Sequence, residues 1–415
     1  MKTVIRPETE MKDSGIQWLG NIPKEWSIIK GKYILKQLSR SVLESDNVVT
    51  CFRDGEVTLR SNRRELGFTN SLKEIGYQGV EPGDLVVHGM DGFAGAIGIS
   101  DSRGKMSPII NVLESGECKK YLMYYLRGLA FVNVFLGLST GIRERSCDLR
   151  WNKLANLEYT IPPLSEQQAI ADYLDETCSK IDEIIAEAKA SIDEYKELKQ
   201  SVILEAVTKG LDKNVEMKDS GVEWIGLCPK HWVVSRIKNE SSNLDNLREP
   251  VSADNRENKL GLYDYYGASG VIDKIDYYNV DDVVLLIGED GANLRMRNLP
   301  LVYRASGKFW VNNHAHILKI NERNDYEYMA YMLEAGDYSD YITGSAQPKL
   351  SQFNLMRFPI VHPPLNEQIV ISQYLVDRIP QIDSLIAEKE SLINDLEAYK
   401  KSLIYEVVTG KRRVV

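Results

Sequence analysis

The stretch Pro162-Pro-Leu-Ser-Glu-Gln167 decides the fold, because it recurs 201 residues later as Pro363-Pro-Leu-Asn-Glu-Gln368. The register continues without a gap over the 49 positions that begin at Ile161, and about 20 of these positions are identical in the two copies. A self-similarity of this length indicates an internal repeat, which governs how the rest of the chain is interpreted. We therefore interpret the chain as two copies of one unit.

Each copy also opens on a shared segment. Met11-Lys-Asp-Ser-Gly-Ile-Gln-Trp-Leu-Gly20, followed by Pro23-Lys-Glu-Trp26, recurs as Met217-Lys-Asp-Ser-Gly-Val-Glu-Trp-Ile-Gly226, followed by Pro229-Lys-His-Trp232. The segments in between, roughly 27–140 and 233–342, share no such identity. The order along the chain is therefore a variable domain and a shared helical segment, each occurring twice.

The shared segments that follow Pro-Pro-Leu have a helical pattern. Ser165 and Asn366 are the predicted N-caps, each followed by a glutamate that suits the first turn. Pro380 predicts a short helix and then a long one over about 380–408, with a matching boundary near Ser179. Apolar residues spaced by threes and fours predict a coiled-coil seam made of Ile181, Ile185, Ile192, Tyr195 and Val202 in the first copy and Ile382, Ile386, Ile393, Leu396 and Leu403 in the second.

These patterns predict an α+β fold with a pseudo-twofold internal repeat. Two globular domains of mixed α/β structure are separated by an antiparallel coiled coil of two long helices. The predicted boundaries are 1–160 for the first domain, 161–212 for the first helical spacer, 213–361 for the second domain and 362–415 for the second spacer. The alternative is that each long helix packs only on its own domain.

Composition limits the class of protein. A chain of 415 residues is too long for one ordinary core, and 43% hydrophobic with 27% charged residues is typical of a folded globular protein. The opening MKTVIRPETE has no apolar segment, and the five cysteines are widely spaced, so we expect a cytoplasmic protein. The net charge of −9 argues against DNA binding, but residues 161–212 carry −7 whereas residues 1–160 carry +3.

The sequence contains no catalytic motif that we accept. Gly92-Phe-Ala-Gly95-Ala-Ile-Gly98 lacks the spacing of a dinucleotide loop, and no P-loop is present. The two Pro-Pro pairs lack the flanking residues with which an adenine methyltransferase holds its base. His314 and His316 would need a third ligand to bind zinc, so polar contacts within a strand are the favoured interpretation. We predict neither a catalytic site nor a metal site.

Loops that combine arginine with asparagine occur in both variable domains. Arginine pairs with guanine and asparagine with adenine through two hydrogen bonds each, and tyrosine can stack on bases or contact sugars. The alternative for any one loop is ordinary solvated surface. The DNA-binding candidates from this pattern are Arg60, Asn62, Arg63, Arg64, Arg143, Arg145, Arg150, Tyr263, Tyr266, Asn293, Arg295 and Arg297.

Taken together, these features resemble the specificity subunit of type I restriction–modification systems. The resemblance rests on the two "MKDSG…W.G..P..W" openings, the two "PPL.EQ" entries to long helices that end in "VT", and the two dissimilar domains between them. Further matches are Thr343-Gly-Ser-Ala-Gln-Pro-Lys-Leu350 and Phe309-Trp-Val-Asn-Asn-His-Ala-His316, which add Asn313, His314, Gln347 and Lys349 to the DNA-binding candidates. Cys147-Asp148-Leu149 departs from the Pro-Lys-Leu of the second copy.

The resemblance implies a non-catalytic subunit of a DNA adenine methyltransferase and endonuclease complex. Each variable domain would be a target recognition domain that reads one half of a bipartite sequence in double-stranded DNA, while the helices set the spacing. Two modification subunits would dock on the helices and use S-adenosylmethionine. Restriction subunits would use ATP and magnesium, and this chain itself would need no cofactor.

Two other classes of function remain as alternatives at this point. One is a scaffold whose variable domains bind other proteins, which co-purification of nucleic acid or of a methyltransferase would exclude. The other is an enzyme with an unrecognised site, which methylation and nuclease assays on the purified chain would reveal.

Overall fold

The computed structural model describes residues 2–63, 75–137, 149–252, 254 and 261–415. The chain divides into two compact units. The first unit comprises residues 1–189 and 390–415, and the second comprises residues 190–389. Each of the two long helices, Leu164–Lys209 and Leu365–Val408, contributes residues to both units.

The first unit is built around a four-stranded antiparallel sheet. Its strands lie in the order Ile97–Ile99, Leu85–His88, Ile110–Ser115 and Leu35–Gln37. The helix Lys119–Phe131 buries most of its residues in the core beside this sheet. Its other elements are the helices Val134–Gly137 and Trp151–Asn156, the 3₁₀ turns Glu8–Glu10, Gly31–Tyr33, Arg60–Asn62 and Gly92–Ala94, and the strands Thr3–Ile5, Met11–Asp13, Asn21–Pro23, Ser27–Lys30, Val49–Cys51, Val57–Leu59, Gln78–Val80, Gly104–Met106, Glu158–Ile161 and Arg412–Val414.

The second unit has a larger, six-stranded sheet. Its strands lie in the order Ser241–Asn243, Ala315–Ile320, Val280–Gly288, Val302–Val311, Tyr263–Gly267 and Gly270–Ile275. The strands Tyr263–Gly267 and Val302–Val311 pair in parallel, and the other neighbours in this sheet pair antiparallel. Its other elements are the helices Ile237–Glu240, Asn293–Met296, Tyr326–Ala335 and Gln352–Arg357, the 3₁₀ turns Asp245–Leu247 and Ser339–Tyr341, and the strands Met217–Asp219, Leu227–Pro229, Val233–Arg236, Ile342–Thr343, Lys349–Leu350 and Pro359–His362.

The repeated openings form equivalent hairpins. In the first unit Met11–Asp13 pairs with Asn21–Pro23, and in the second Met217–Asp219 pairs with Leu227–Pro229. The strand after each tryptophan then pairs antiparallel with the strand that leads into the long helix. We call the hairpin, this strand pair and the long helices the frame. The two units therefore have the same frame, although their sheets differ.

The long helices differ from the sequence prediction in two respects. Each is continuous, with Pro380 inside the second helix and no break at Ser179, so the predicted boundaries were wrong. Proline removes only one N–H from the helix, and the burial of Ile379 and Ile382 on either side supports the helix through this point. Ser165 and Asn366 already lie inside the helices, and the carbonyls of Pro163 and Pro364 accept the first backbone N–H groups.

Within each unit the two helices run side by side in opposite directions. In the first unit Lys400 Nζ lies 2.6 Å from Asp182 Oδ1, and in the second Lys199 Nζ lies 2.6 Å from Asp383 Oδ1. The two ion pairs are related by the 201-residue repeat, and the residue numbers of each pair add up to the same value, as antiparallel pairing requires. Of the predicted seam, Ile181, Ile185, Ile192, Ile382 and Leu403 are buried, and Tyr195, Val202, Ile386, Ile393 and Leu396 are half-buried.

Candidate nucleic-acid interface

Three loops of the second unit meet where the strand Val280–Gly288 ends. The N–H of Glu289 donates to the carbonyl of His314 at 2.8 Å, and the N–H of Leu350 donates to the carbonyl of Glu289 at 2.8 Å. The N–H of Gly291 donates to the carbonyl of Pro348 at 3.1 Å. Backbone hydrogen bonds thus hold the three loops together independently of the side chains that they expose.

A buried polar network supports these loops. His316 is fully buried, with Nδ1 2.6 Å from Asp245 Oδ2 and Nε2 2.8 Å from the carbonyl oxygen of Leu350. Burial alone would raise the pKa of Asp245, but its hydrogen bond and charge interaction with His316 lower that pKa overall. The pKa of Glu289 is also lowered despite burial, by hydrogen bonds from Lys349 and Arg248. The side chains that support the loops are therefore charged or polar groups that are paired with each other.

Several predicted DNA contacts lie together on the exposed side of these loops. Asn313, His314, Gln347 and Lys349 are all exposed. His314 Nδ1 lies 2.7 Å from Asp290 Oδ2, and Lys349 Nζ lies 2.9 Å from Glu289 Oε1. Arg295 is exposed as well and uses one nitrogen, Nη2, on the carbonyl of Gly344 at 3.2 Å. The cluster presents amide and cationic groups of the kinds that read base edges and phosphates.

Other predicted contacts of the second unit are held within the fold. The amide of Asn293 bonds the backbone of Leu299 and Pro300. Arg297 donates to the carbonyl of Glu334. Tyr263 packs edge-on against Tyr278, and Tyr266 packs edge-on against Phe309. These four residues shape the loops, and their contact with DNA stays a prediction.

The predicted contacts of the first unit follow the hairpin Val49–Cys51 and Val57–Leu59. Arg60 Nε donates to Thr50 Oγ1 at 3.1 Å, and Asn62 Nδ2 donates to Thr58 Oγ1 at 2.8 Å. Arg63 stacks on Phe52 and is paired with Asp54 at 2.7 Å and Glu56 at 3.0 Å. The intramolecular contacts therefore fix the direction of these side chains. Arg64, Arg143 and Arg145 lie outside the described residues.

The segment that departs from the Pro-Lys-Leu pattern ends at an equivalent position. The N–H of Leu149 donates to the carbonyl of Gly89 at 2.8 Å, as that of Leu350 does to Glu289. Both leucines are buried. Arg150, which follows Leu149, is exposed at the start of a short helix. Cys147 and Asp148 lie outside the described residues.

Sequence reasoning missed the role of the repeated polar residues in the frame. The indole Nε1 of Trp26 donates to Glu166 Oε2 at 3.0 Å, and that of Trp232 donates to Glu367 Oε2 at 2.8 Å. The sequence pattern predicts for these glutamates only an interaction with the helix dipole. Their identity in both copies, together with that of the two tryptophans, was the signal available.

The buried glutamines and tyrosines join each long helix to its unit. Gln167 Nε2 donates to the carbonyl of Pro162, and Gln368 Nε2 donates to that of Pro363, each at 2.9 Å. The hydroxyls of Tyr121 and Tyr328 lie against Val408 O and Val207 O, at the ends of the second and the first long helix respectively. Each unit thus binds the start of one long helix and the end of the other.

Two classes of site receive no support within the described parts of the chain. No group of three or more His, Cys, Asp or Glu side chains there is arranged to hold a metal ion. No described helix has the length and apolar character that crossing a membrane requires. His314 and His316 instead have separate aspartate partners.

A family model described as "Type I restriction modification DNA specificity domain" matches residues 229–397. A protein of Haemophilus influenzae named as a type I restriction enzyme specificity subunit is 30% identical over 160 residues, which is 38% of each chain. The chain is thus similar to type I restriction–modification specificity subunits. A protein of Methanocaldococcus jannaschii named as the MjaX specificity subunit is 25% identical over 361 residues, which cover 83% of this chain and 77% of that one.

A solved structure supports the fold over nearly the whole length. That structure comes from work on complex assembly and conformational transition of the type I restriction–modification system. Its fold matches the fold of this chain with a TM-score of 0.71, at 13% sequence identity. The match covers 94% of this chain and 99% of that chain. The predicted α+β fold is thereby confirmed.

Proposed function

We propose that this chain reads a bipartite DNA sequence, one half with each recognition domain, on behalf of a type I restriction–modification complex. The observation that supports this most directly is the repeat itself: two frames with the same contacts hold two domains with different sheets. Frame residues would meet identical partners while the domains meet different bases. The proposed domains are residues 1–160 and 213–361, with the helical spacers 161–212 and 362–415.

In the second half of the chain, the exposed loop cluster would read base edges. The Gln347 amide can form two hydrogen bonds with adenine, and Arg295 retains nitrogen donors that could reach guanine or phosphate. In the first half, Arg63 would exchange its two carboxylate partners for DNA. Because the chain has a net charge of −9, the partner subunits would supply much of the phosphate neutralisation.

The proposed partners are two modification subunits, which carry S-adenosylmethionine, and restriction subunits, which use ATP and magnesium. Exposed apolar residues on the long helices recur at equivalent positions, which two copies of one partner would need. The pairs are Leu164 with Leu365, Ile184 with Leu385, and Leu198 with Tyr399. A complex of this kind acts on cellular DNA, so the proposal places the chain in the cytoplasm.

Methylome sequencing tests the readout of each half-site. Expressed with the modification subunit in a host that lacks other methyltransferases, the wild-type chain should direct methylation to one bipartite sequence. Gln347→Ala should relax one base of one half-site, at a cost of roughly 1–3 kcal/mol. The other half-site is the internal control and should keep its sequence. Full discrimination by the variant at every position would exclude Gln347 as a reader.

A second experiment tests whether the helices set the spacing. Because both long helices run through both units, four residues are inserted after Ala188 and four after the equivalent Lys389. Four helical residues add about 6 Å, which corresponds to about two base pairs at 3.4 Å each. Methylation should move to sites whose spacer is about two base pairs longer, with both half-sites unchanged. Retention of the original spacing would refute this role.

A further inference from the structure

An arginine side chain fills a buried site in the first unit. Arg6 Nε donates to the carbonyl of Gly410 at 3.0 Å, and its guanidinium pairs with Glu166. The same guanidinium lies 5.8 Å from the ring centre of Trp26. The Arg6 side chain is only 5% exposed, so this site is fully occupied by the chain itself.

The second unit contains the same walls. Gly210 adopts a φ of +75° and Gly410 a φ of +74°, and each glycine lies against the tryptophan of its unit. Trp232 donates to Glu367 as Trp26 donates to Glu166. Both units thus offer the same three groups: a carbonyl at the end of one helix, a carboxylate at the start of the other helix, and an indole ring.

The second unit lacks the arginine. The alignment of Met11 with Met217 makes Asp212 the counterpart of Arg6, and Asp212 is exposed. The site is a cavity of about 340 Å³, lined among others by Gly210, Asp212, Trp232 and Glu367. That volume lies at the lower end of the range for ligand pockets, which suits one side chain.

The charges around this cavity favour a cation. Asp212 and Glu367 contribute two carboxylates, and the bases on its wall are Lys209 and His231. Lys209 is exposed and lies 3.9 Å from Glu205, while His231 Nε2 lies 2.8 Å from Glu367 Oε1. His231 uses Oε1 of that carboxylate and the Trp232 indole N–H uses Oε2, and each oxygen has a further lone pair to offer.

Guanidinium fits these walls better than ammonium. It is planar, so it can lie against an indole, and its fork of N–H groups can reach a carboxylate and a carbonyl together. The wall also includes the exposed Val370, and Ile369 and Leu365 are exposed nearby along the same helix. An apolar surface next to a cation site suits a protein side chain rather than a free ion.

We infer that the cavity of the second unit receives an arginine side chain of the modification subunit. That the partner is the modification subunit depends on the proposed function. That the cavity binds a guanidinium group does not depend on it, because this is argued from the Arg6 site of the first unit. In the first unit the chain supplies this arginine, so the inferred contact distinguishes the two docking positions.

The site is tested on the full-length chain by titration with ethylguanidinium, monitored by the indole N–H resonances in NMR spectra. The Trp232 resonance should shift saturably, and ethylammonium should have at least a tenfold weaker effect. The Trp26 resonance should not respond, because Arg6 occupies its site. Absence of a saturable Trp232 shift, or equal shifts with ethylammonium, would overturn the inference.

Two variants provide matched controls. Asp212→Arg places an arginine at the position equivalent to Arg6, so it should abolish the response of Trp232. Arg6→Ala should make Trp26 responsive. A Trp232 response that persists unchanged in Asp212→Arg would show that ethylguanidinium binds elsewhere, which contradicts the inference.

Titration with the modification subunit then tests the partner. Asp212→Arg should raise the dissociation constant of one of two modification subunits by about tenfold and leave the other unchanged. Equal affinities in wild type and variant would refute the assignment of the partner. If the wild-type chain binds no modification subunit at all, the proposed function fails, while the ethylguanidinium titration still decides the site.

Discussion

Replacement of Tyr328 by phenylalanine measures how strongly the second unit binds the end of the first long helix. The Tyr328 hydroxyl is fully buried, 3.0 Å from the carbonyl oxygen of Val207 and 3.3 Å from that of Val361. Val207 lies in the last turn of its helix, so its carbonyl has no partner within the helix. Tyr328→Phe keeps the ring and leaves this buried acceptor unpaired, at a cost of about 2 kcal/mol.

The equivalent change in the first unit should cost less. The hydroxyl of Tyr121 lies 2.7 Å from the carbonyl oxygen of Thr160 and 3.2 Å from that of Val408. The Thr160 hydroxyl also reaches Val408 O, at 3.3 Å, so that carbonyl keeps a donor when Tyr121 becomes phenylalanine. We expect a cost of about 1 kcal/mol, the typical net value of one hydrogen bond.

Urea unfolding followed by hydrogen exchange and mass spectrometry measures both costs, because peptides from each unit report its own stability. Tyr328→Phe should destabilise the second unit, and the amides near Val207 should exchange faster. Equal costs for the two variants, or a cost below about 0.5 kcal/mol for Tyr328→Phe, would refute the reasoning from unpaired carbonyls.

Three further predictions concern charge. Because the pKa of Asp245 is lowered in the folded chain, its ionised carboxylate stabilises the loop cluster above about pH 4, the ordinary value for a carboxyl group, and this stabilisation is lost as the pH falls further. The protection factors of amides in residues 311–320 should therefore fall as the pH is lowered from about 5 to about 3, and they should fall less in Asp245→Asn. Lys199→Asp should lower the free energy of unfolding by less than about 1 kcal/mol, because the ion pair with Asp383 is exposed. Adding Asp383→Lys should restore the pair with reversed charges and with it the stability. Unequal melting temperatures of the wild type and the double variant would contradict this expectation. Without its partners the chain should bind DNA weakly, and tight sequence-specific binding in a fluorescence titration would disprove this.

The repeat made much of the frame predictable from the sequence. The two long helices, with seams that begin at Ile181 and Ile382, can be recognised because apolar residues with helical spacing lie in the segments that the two copies share. The pairing of the helices follows from the symmetry of the repeat, and the Asp182–Lys400 ion pair agrees with it. The residues that give the helices their periodicity are also the residues through which the helices pair, so the periodicity predicts the pairing.

Features that depend on distant residues were not predictable in this way. Proline rules predict a helix boundary at Pro380, yet packing of the residues around it overrides that local preference. Nothing near Arg6 in the sequence indicates that it binds Glu166, 160 residues away, because burial of a cation depends on a partner from another segment. The Asn293 amide, predicted to read bases, bonds its own loop instead.

The arrangement of contacts explains how one frame can hold two different domains. The strands Thr3–Ile5 and Arg412–Val414 pair in the first unit, at the place where the second unit has the direct connection through residues 210–217. In both units the glycine that follows the end of one long helix packs on a tryptophan, and the indole N–H of that tryptophan donates to the glutamate at the start of the other helix. These contacts join the openings to the helices and need few residues from the sheets. A domain can therefore change its sheet and its loops without weakening the frame, as the proposed recognition of two unrelated half-sites requires.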